Sequence, residues 1–374
     1  MNGLDTSRLI LFFTRGVSLR TWDEGGMLER EVALYRALRP HLRRITFVTW
    51  GDARDLDYGD RLGGIDIICN RWRLPGRLYA AALARLCPLL WRGNVIIKSN
   101  QVPGADVALR AARRARARFV ARCGYLHSDF AERRHGRGSA EFRRAAALEG
   151  EVFPAADRVV VTTGEMRRTI IERYNVPEER TAVIPNYVET ERFCPTCDRT
   201  GKPRRICFVG RFVEQKNLPA LVEAVAGLGV QLVLTGKGHL ERGLRASAAR
   251  NGVSAEFVGN RPHNELPGLL NSCDLFVLPS HYEGHPKALL EAMACGLPAV
   301  GADVPGIRDV IRDGETGLLC GTDPAGIRSA VSRVLADADL RERLGRNARE
   351  YVVRNCDLGR VVEMELALLE GLAR

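Results

Sequence analysis

The chain has 374 residues, 45% hydrophobic and 27% charged, with 56 Lys and Arg against 45 Asp and Glu for a formal net charge of +11. That length exceeds one ordinary core and suits two domains, and no run of 18 or more apolar residues exists, which excludes a bilayer-spanning helix. The start, Met1 to Arg8, contains Asp5 and leads into only five apolar residues, Leu9 to Phe13. This is too short for a signal-peptide core, so a cytoplasmic chain is expected.

In chain order, short apolar runs at Leu9 to Phe13, Ile45 to Trp50, Ile65 to Cys69, Val95 to Lys98, Phe119 to Cys123 and Val159 to Val161 predict strands. Helical stretches such as Met27 to Leu38 and Gly76 to Trp91 separate them, the pattern of a parallel sheet wrapped by helices. A Pro-, Thr-, Cys- and Lys-containing stretch, Phe193 to Pro203, reads as a linker, after which the alternation restarts at Ile206. The expected organisation is an N-terminal Rossmann-like domain over 1–190, a linker over 191–204, a second Rossmann-like domain over 205–356 and a last helix over 357–374. The fold class is α/β, two doubly wound domains facing across a cleft, since ligands bind beyond the carboxyl ends of such strands.

Charge is uneven along this layout. Residues 1–190 hold 32 basic against 22 acidic residues, and the remainder 24 against 23. The basic half could meet an anionic membrane, an acidic acceptor or nucleic acid, although the third lacks any interleaved aromatic platform. Gly76 to Trp91, with Leu78, Leu83, Leu86, Leu89, Leu90 and Arg77, Arg85 and Arg92, and the arginine-dense Val107 to Arg118 are the segments expected at a membrane surface. Ten cysteines are scattered through apolar segments and read as reduced core residues; the one tight pair, Cys194 and Cys197, reads as linker.

The chemistry concentrates in the second half. Between Glu283 and Ala294 the chain reads E-G-H-P-K-A-L-L-E-A-M-A. Pro286 suits a helix start and Gly296 a left-handed stop, which places Glu283 in a loop at the helix N-terminus and Glu291 on the helix. A helix N-terminus attracts phosphate, and nearby carboxylates accept hydrogen bonds from sugar hydroxyls. A hydrolase acid pair fits poorly, because eight helical steps span ~12 Å whereas glycosidase carboxylates stand about 5–9.5 Å apart.

This motif resembles the E-x7-E element of the retaining GT-B glycosyltransferases of the family 4 type. The resemblance extends to G-R-x4-K at Gly210, Arg211 and Lys216, to G-x-G at Gly236 and Gly238, and to Phe257-Val258-Gly259. Asp274 to Ser280 and Glu315 to Leu318 follow in the family's order, six elements in register. It implies that Arg211 and Lys216 meet the donor diphosphate, that Glu283 holds the donor sugar, and that Glu291 holds the nucleotide ribose. Backbone from Gly284, His285, Pro286, Lys287, Ala288 and Leu289 would contact sugar and phosphate, Gly210, Gly236 and Gly238 would line the donor site, and Asn260 and Arg261 would stand near the base. In the first half it implies Gly16, and more weakly Gly26, near the diphosphate within a loop spanning Arg15 to Gly26, and His127 near the transferred sugar, four residues past Cys123 where the strand ends. Trp22 and Asp23, and the strand end Lys98-Ser99-Asn100-Gln101, are acceptor-side candidates.

The expected function is transfer of a hexose from a UDP- or GDP-sugar to a hydroxyl of a glycan or lipid-linked acceptor, with retention of configuration. Such a chain would serve polysaccharide or glycolipid biosynthesis from the cytoplasm or the inner membrane face. No cofactor and no essential metal are expected, Asp55-Leu56-Asp57 being a D-x-D in form only, within a polar loop. A non-catalytic nucleotide-sugar-binding protein is the alternative.

Overall fold

The computed structural model describes residues 4–90, 93–196 and 204–373, without the side chains of 86–90. The chain divides into two compact units, Met1–Ile184 with Val361–Arg374, and Pro185–Arg360.

Seven parallel strands form the sheet of the first unit: β1 Arg8–Phe12, β2 Arg44–Val48, β3 Asp66–Ile68, β4 Val95–Ser99, β5 Arg118–Cys123, β6 Arg158–Val161 and β7 Thr181–Val183. Their order is β3-β2-β1-β4-β5-β6-β7. The second unit holds β8 Arg205–Val209, β9 Gln231–Thr235, β10 Ser254–Gly259, β11 Leu275–Leu278, β12 Ala299–Ala302 and β13 Leu318–Cys320, ordered β10-β9-β8-β11-β12-β13 and again parallel. Strands such as Leu275-Phe276-Val277-Leu278 are buried on both faces because crossover helices cover the sheet, and their sequences are therefore continuously apolar. In the first sheet β7, only three residues long, was not anticipated, and in the second neither was β12.

Several sequence expectations change in the first unit. The segment from Arg15 to Gly26 is not all loop: Leu19–Glu24 is helical, started by a capping box in which Ser18 Oγ accepts from Thr21 N at 3.0 Å. That helix turns Trp22 inward to stack on Phe13 at 4.1 Å, and Asp23 pairs with Arg61 at 2.9 Å, so neither is a free acceptor-side group. Lys98 is fully buried and donates to Glu365 at 2.5 Å, which removes it from any polar patch. Asp55 is also buried. Its carboxylate accepts from Thr49 Oγ1 at 2.5 Å and from Leu19 N at 3.3 Å, which spends it on holding that short helix, while Asp57 is exposed.

In the two segments expected at a membrane surface, burial separates the side chains. In the helix Gly76–Leu90 the residues Tyr79, Ala80, Leu83 and Ala84 face the core, whereas Leu78 points outward; the side chains of Leu86, Leu89 and Leu90, together with Trp91 and Arg92, lie outside the described residues. In the helix Ala105–Ala115 every residue of the apolar stripe, Val107, Leu109, Ala111 and Ala112 among them, is buried, leaving Arg110, Arg113 and Arg114 exposed. No helix among the described residues is long and apolar enough to cross a membrane.

In the second unit the chain before β8 is firmly packed rather than linker-like up to Thr196. Phe193 is buried, Arg349 donates to its carbonyl at 2.6 Å, and Asn271 donates to Cys194 O and accepts from Thr196 N. Cys197, and with it the Cys194–Cys197 pair, lies outside the described residues.

Candidate functional site

In a doubly wound sheet the strand order reverses at one point, and the loops leaving the two strands there diverge to open a crevice. In the second unit that point lies between β8 and β11. The loop leaving β8 is built on close backbone packing. A Cβ on Gly236, which has φ +132°, would lie 1.9 Å from the carbonyl oxygen of Gly210, and one on Gly238 would lie 2.2 Å from that of Phe212. Only glycine permits this approach. Hydrogen bonds from Gly210 N to Thr235 O, Phe212 N to Lys237 O and Gly236 N to Gly259 O then bind the ends of β8, β9 and β10 together.

The same loop is fastened to the one leaving β11. Asn217 sits at φ +52° and donates to Pro279 O at 3.1 Å and Thr322 O at 2.7 Å. Gln215 donates to Tyr282 O at 2.8 Å and accepts from His281 N at 2.9 Å. These contacts bring Lys216, from the 3₁₀ turn Glu214–Lys216, onto the Glu283 carboxylate as an ion pair whose side chains are only 14% and 8% exposed. Arg211, just after Gly210, is exposed.

Beyond Glu283 the helix Lys287–Ala294 begins, with Pro286 as its N-cap and no side-chain cap, and it ends at Gly296 with φ +66°. Its entry is fixed from behind. Gly306 backs onto the loop so closely that a Cβ there would meet Gly284 O at 2.0 Å. His285 is buried; its Nδ1 accepts from Asn186 N at 3.2 Å and its carbonyl accepts from Asn186 Nδ2 at 2.6 Å. Nδ1 is thus an acceptor and the neutral ring carries its proton on Nε2. Lys287 lies over the Tyr187 ring at 5.9 Å.

Glu291 is buried on this helix and accepts from His263 Nε2 at 3.0 Å. The His263 ring packs on Phe193, with centroids 4.9 Å apart, and its Nδ1 is buried with no hydrogen-bond partner. A carboxylate oxygen can only accept, so His263 Nε2 carries the proton of this hydrogen bond.

Two family models match the chain, Glycosyltransferase Family 4 over residues 16–192 and Glycosyl transferases group 1 over residues 197–351. The chain belongs to the family 4-type GT-B glycosyltransferases. It is 31% identical over 225 residues to the glycogen synthase of Mycobacterium tuberculosis, covering 58% of this chain and 54% of that protein. It is 35% identical over 230 residues to a D-inositol 3-phosphate glycosyltransferase of Geodermatophilus obscurus, covering 54% of this chain and 50% of that one. The chain thus spans about half the length of the curated relatives it matches. Among solved structures it resembles Anabaena HepE, crystallised with UDP and glucose, at TM-score 0.78 and 18% identity over 97% of this chain and 100% of that one. Sucrose-phosphate synthase of Thermosynechococcus elongatus gives TM-score 0.77 and 20% identity over 98% of this chain and 99% of that one. At these identities the likeness shows the fold alone.

The fold brings together Gly210, Gly236, Gly238, Lys216 and Glu283, and sets Gly284 to Leu289 as the loop and first turn leading to Glu291. Other predicted residues stand differently. The His285 side chain clamps Asn186, which leaves the backbone contact expected of this residue untouched, and Arg261 is exposed and paired with Glu265 at 3.3 Å, next to an exposed Asn260. In the first unit Gly16 has φ +80° with open space where a Cβ would go, and His127 opens the helix His127–His135, half-buried and edge-on to Tyr125 at 6.4 Å. Sequence reasoning missed His263, Asn217, Asn186 and Gly306. Each matters through contacts with residues far along the chain, and none sits in a local pattern that would single it out.

Proposed function

We propose that this chain is a retaining glycosyltransferase that moves a hexose from a UDP- or GDP-sugar to a hydroxyl of a glycan or lipid-linked acceptor. The observation that carries the reading is the Lys216–Glu283 pair at the strand-order reversal, beside a helix N-terminus without a side-chain cap. A cation and a helix N-terminus suit a diphosphate, and a carboxylate suits sugar hydroxyls. The relatives point the same way: HepE was crystallised with UDP-glucose, and glycogen synthase is named for a glucan product.

In this mechanism the bond from the anomeric carbon to the diphosphate oxygen breaks while the acceptor oxygen bonds to the same face. The acceptor proton passes to the departing phosphate. Lys216, Arg211 and the N–H groups at the start of the Lys287–Ala294 helix stabilise the charge that grows there. Glu283 holds the hexose and Glu291 the ribose. The roles of Gly16 and His127 rest on the family resemblance. No step requires a divalent ion, because the cations and helix dipole act where one would.

A thermal-shift panel of UDP- and GDP-sugars, followed by an assay for free nucleotide with the best binder and candidate acceptors, tests the reading. Stabilisation by one nucleotide class and acceptor-dependent release in excess chelator are expected. Absence of any binder refutes the site, binding without release under every acceptor favours a non-catalytic protein, and rescue of chelated enzyme by manganese refutes the metal-free step.

A further inference from the structure

The second unit carries an open cavity of about 870 Å³, lined by His281 past β11, Asp303 and Arg308 past β12, Asp313, and Cys320 and Thr322 at the end of β13. Ligand pockets typically enclose about 300–1,000 Å³, so the space suits a small molecule or part of a larger one. Its walls are the ends of three neighbouring parallel strands, fastened by backbone hydrogen bonds. Asp303 N donates to Cys320 O at 2.8 Å, Asn217 holds Thr322 O, and Gln215 holds His281 N. His281 stands two residues before Glu283, and Gly306, which packs on Gly284 O, follows the lining residue Val304 by two. The cavity therefore adjoins the Glu283 loop while its lining is a separate set of side chains.

Four of these side chains keep unused hydrogen-bonding capacity. Asp303 accepts from Arg308 Nε at Oδ1, 2.7 Å away, and Asp313 accepts from Leu319 N at Oδ1, 2.8 Å away. The second oxygen of each carboxylate has no partner among the described residues, and neither has the exposed His281 ring or the Thr322 hydroxyl. Cys320 is buried, and burial, with Asp323 and Asp303 nearby, pushes its thiol up to about 12. It stays protonated and offers no nucleophile, so the cavity is suited to holding a ligand and not to reacting with it.

The lining narrows the class of ligand. Two carboxylates stand against one guanidinium, so a phosphate or carboxylate would face the unpaired charge of Asp313. A cation would meet Arg308 beside the already paired Asp303, and no group of three or more His, Cys, Asp or Glu placed to hold a metal stands among the described residues. An apolar ligand would cover the two free carboxylate oxygens without bonding them, which is costly. A hydroxyl both donates and accepts. The hydroxyls of a neutral sugar can donate to the free oxygens of Asp303 and Asp313 and accept from Thr322 and from the protonated nitrogen of His281.

We propose that this cavity binds a neutral oligosaccharide, held by Asp303, Asp313, Thr322 and His281, none of which takes part in the proposed transfer. The inference goes beyond that reaction and does not rest on it, since binding here needs neither a donor nor turnover.

The test is calorimetric titration of the full chain, without nucleotide, with maltoheptaose, cellohexaose and mannohexaose, and with inorganic phosphate and calcium as charged probes. Binding of at least one oligosaccharide is expected. The double variant D303N/D313N keeps Oδ1 of each side chain for Arg308 and for Leu319 N and turns only the free oxygens into donors. It should keep the thermal midpoint and the nucleoside diphosphate affinity of the wild type while weakening oligosaccharide binding about tenfold or more. Thr322→Val, which loses one hydroxyl and no charge, should weaken it about threefold or more. Absence of binding by all three oligosaccharides overturns the proposal, as does equal binding by the wild type and D303N/D313N. Binding of phosphate or calcium in place of every oligosaccharide overturns it in favour of an anion or a cation site. Because nucleoside diphosphate affinity is read in the same variants, failure of this site is distinguishable from failure of the transferase reading.

Discussion

Glu365→Ala should unfold the first unit far more readily than any surface change, because it strands a charge. Lys98 lies on the inner strand β4, and Glu365 on the helix Leu358–Ala373; their side chains are 0% and 2% exposed, with Nζ and Oε1 2.5 Å apart. Burial pulls the Lys98 pKa below its ordinary value, and the Glu365 carboxylate pulls it back up. Without that carboxylate the ammonium is buried and unpaired, which costs about 3–5 kcal/mol. The lysine can escape by releasing its proton, and doing so at pH 7 costs about 5 kcal/mol, which sets the ceiling. The sign of the pH dependence follows. A lysine neutral in the folded unit and protonated when unfolded means that the unfolded state binds more protons, so stability rises with pH until the ordinary lysine value is reached, by about 1.4 kcal/mol per unit. The double replacement K98M/E365L should restore most of the loss, since an apolar pair leaves no buried charge and removes Glu365 Oε2, which is buried without a partner. Hydrogen-exchange mass spectrometry of the peptide spanning β4, with urea titration between pH 7 and 10, reads the first unit separately. A loss under 1 kcal/mol in E365A, with no pH slope, refutes the reasoning.

Lys216→Ala and Arg211→Ala should each weaken binding of the preferred nucleoside diphosphate by about tenfold or more, measured by calorimetry; unchanged affinity in both places the phosphate site elsewhere. His263→Leu should lower nucleotide affinity by leaving Glu291 unoriented, whereas His263→Gln, whose amide can donate to the same oxygen, should restore most of it. Equal affinities in the two variants would show that His263 only fills space. Gly306→Ala should cost about 1–3 kcal/mol and suppress activity, because its Cβ would drive Gly284 off its position. Gly243→Ala, in the helix Glu241–Arg250 with nothing within 4 Å of its Cβ, should stabilise by about 0.5–1 kcal/mol; thermal melts compare the two.

What the sequence by itself determined is what short stretches encode. Continuous apolar runs such as Leu232 to Thr235 mark strands buried on both faces, and Pro286 and Gly296 bracket their helix through backbone preferences alone. The spacing of Gly210, Arg211 and Lys216 against Glu283 and Glu291 likewise sufficed to name the family, because each motif is local. Tertiary structure decided which side chains meet. Lys98 reads as a polar strand end until Glu365, 267 residues later, covers it, and Trp22 reads as a loop aromatic until the Ser18 capping box turns it onto Phe13. His263 acquires its part only when the loop after β10 folds against Glu291. Backbone propensity acts over a few residues, whereas burial and pairing depend on what lies opposite in space. A lysine, a tryptophan and a histidine could therefore be located in the sequence, but only the packed fold gave them their partners.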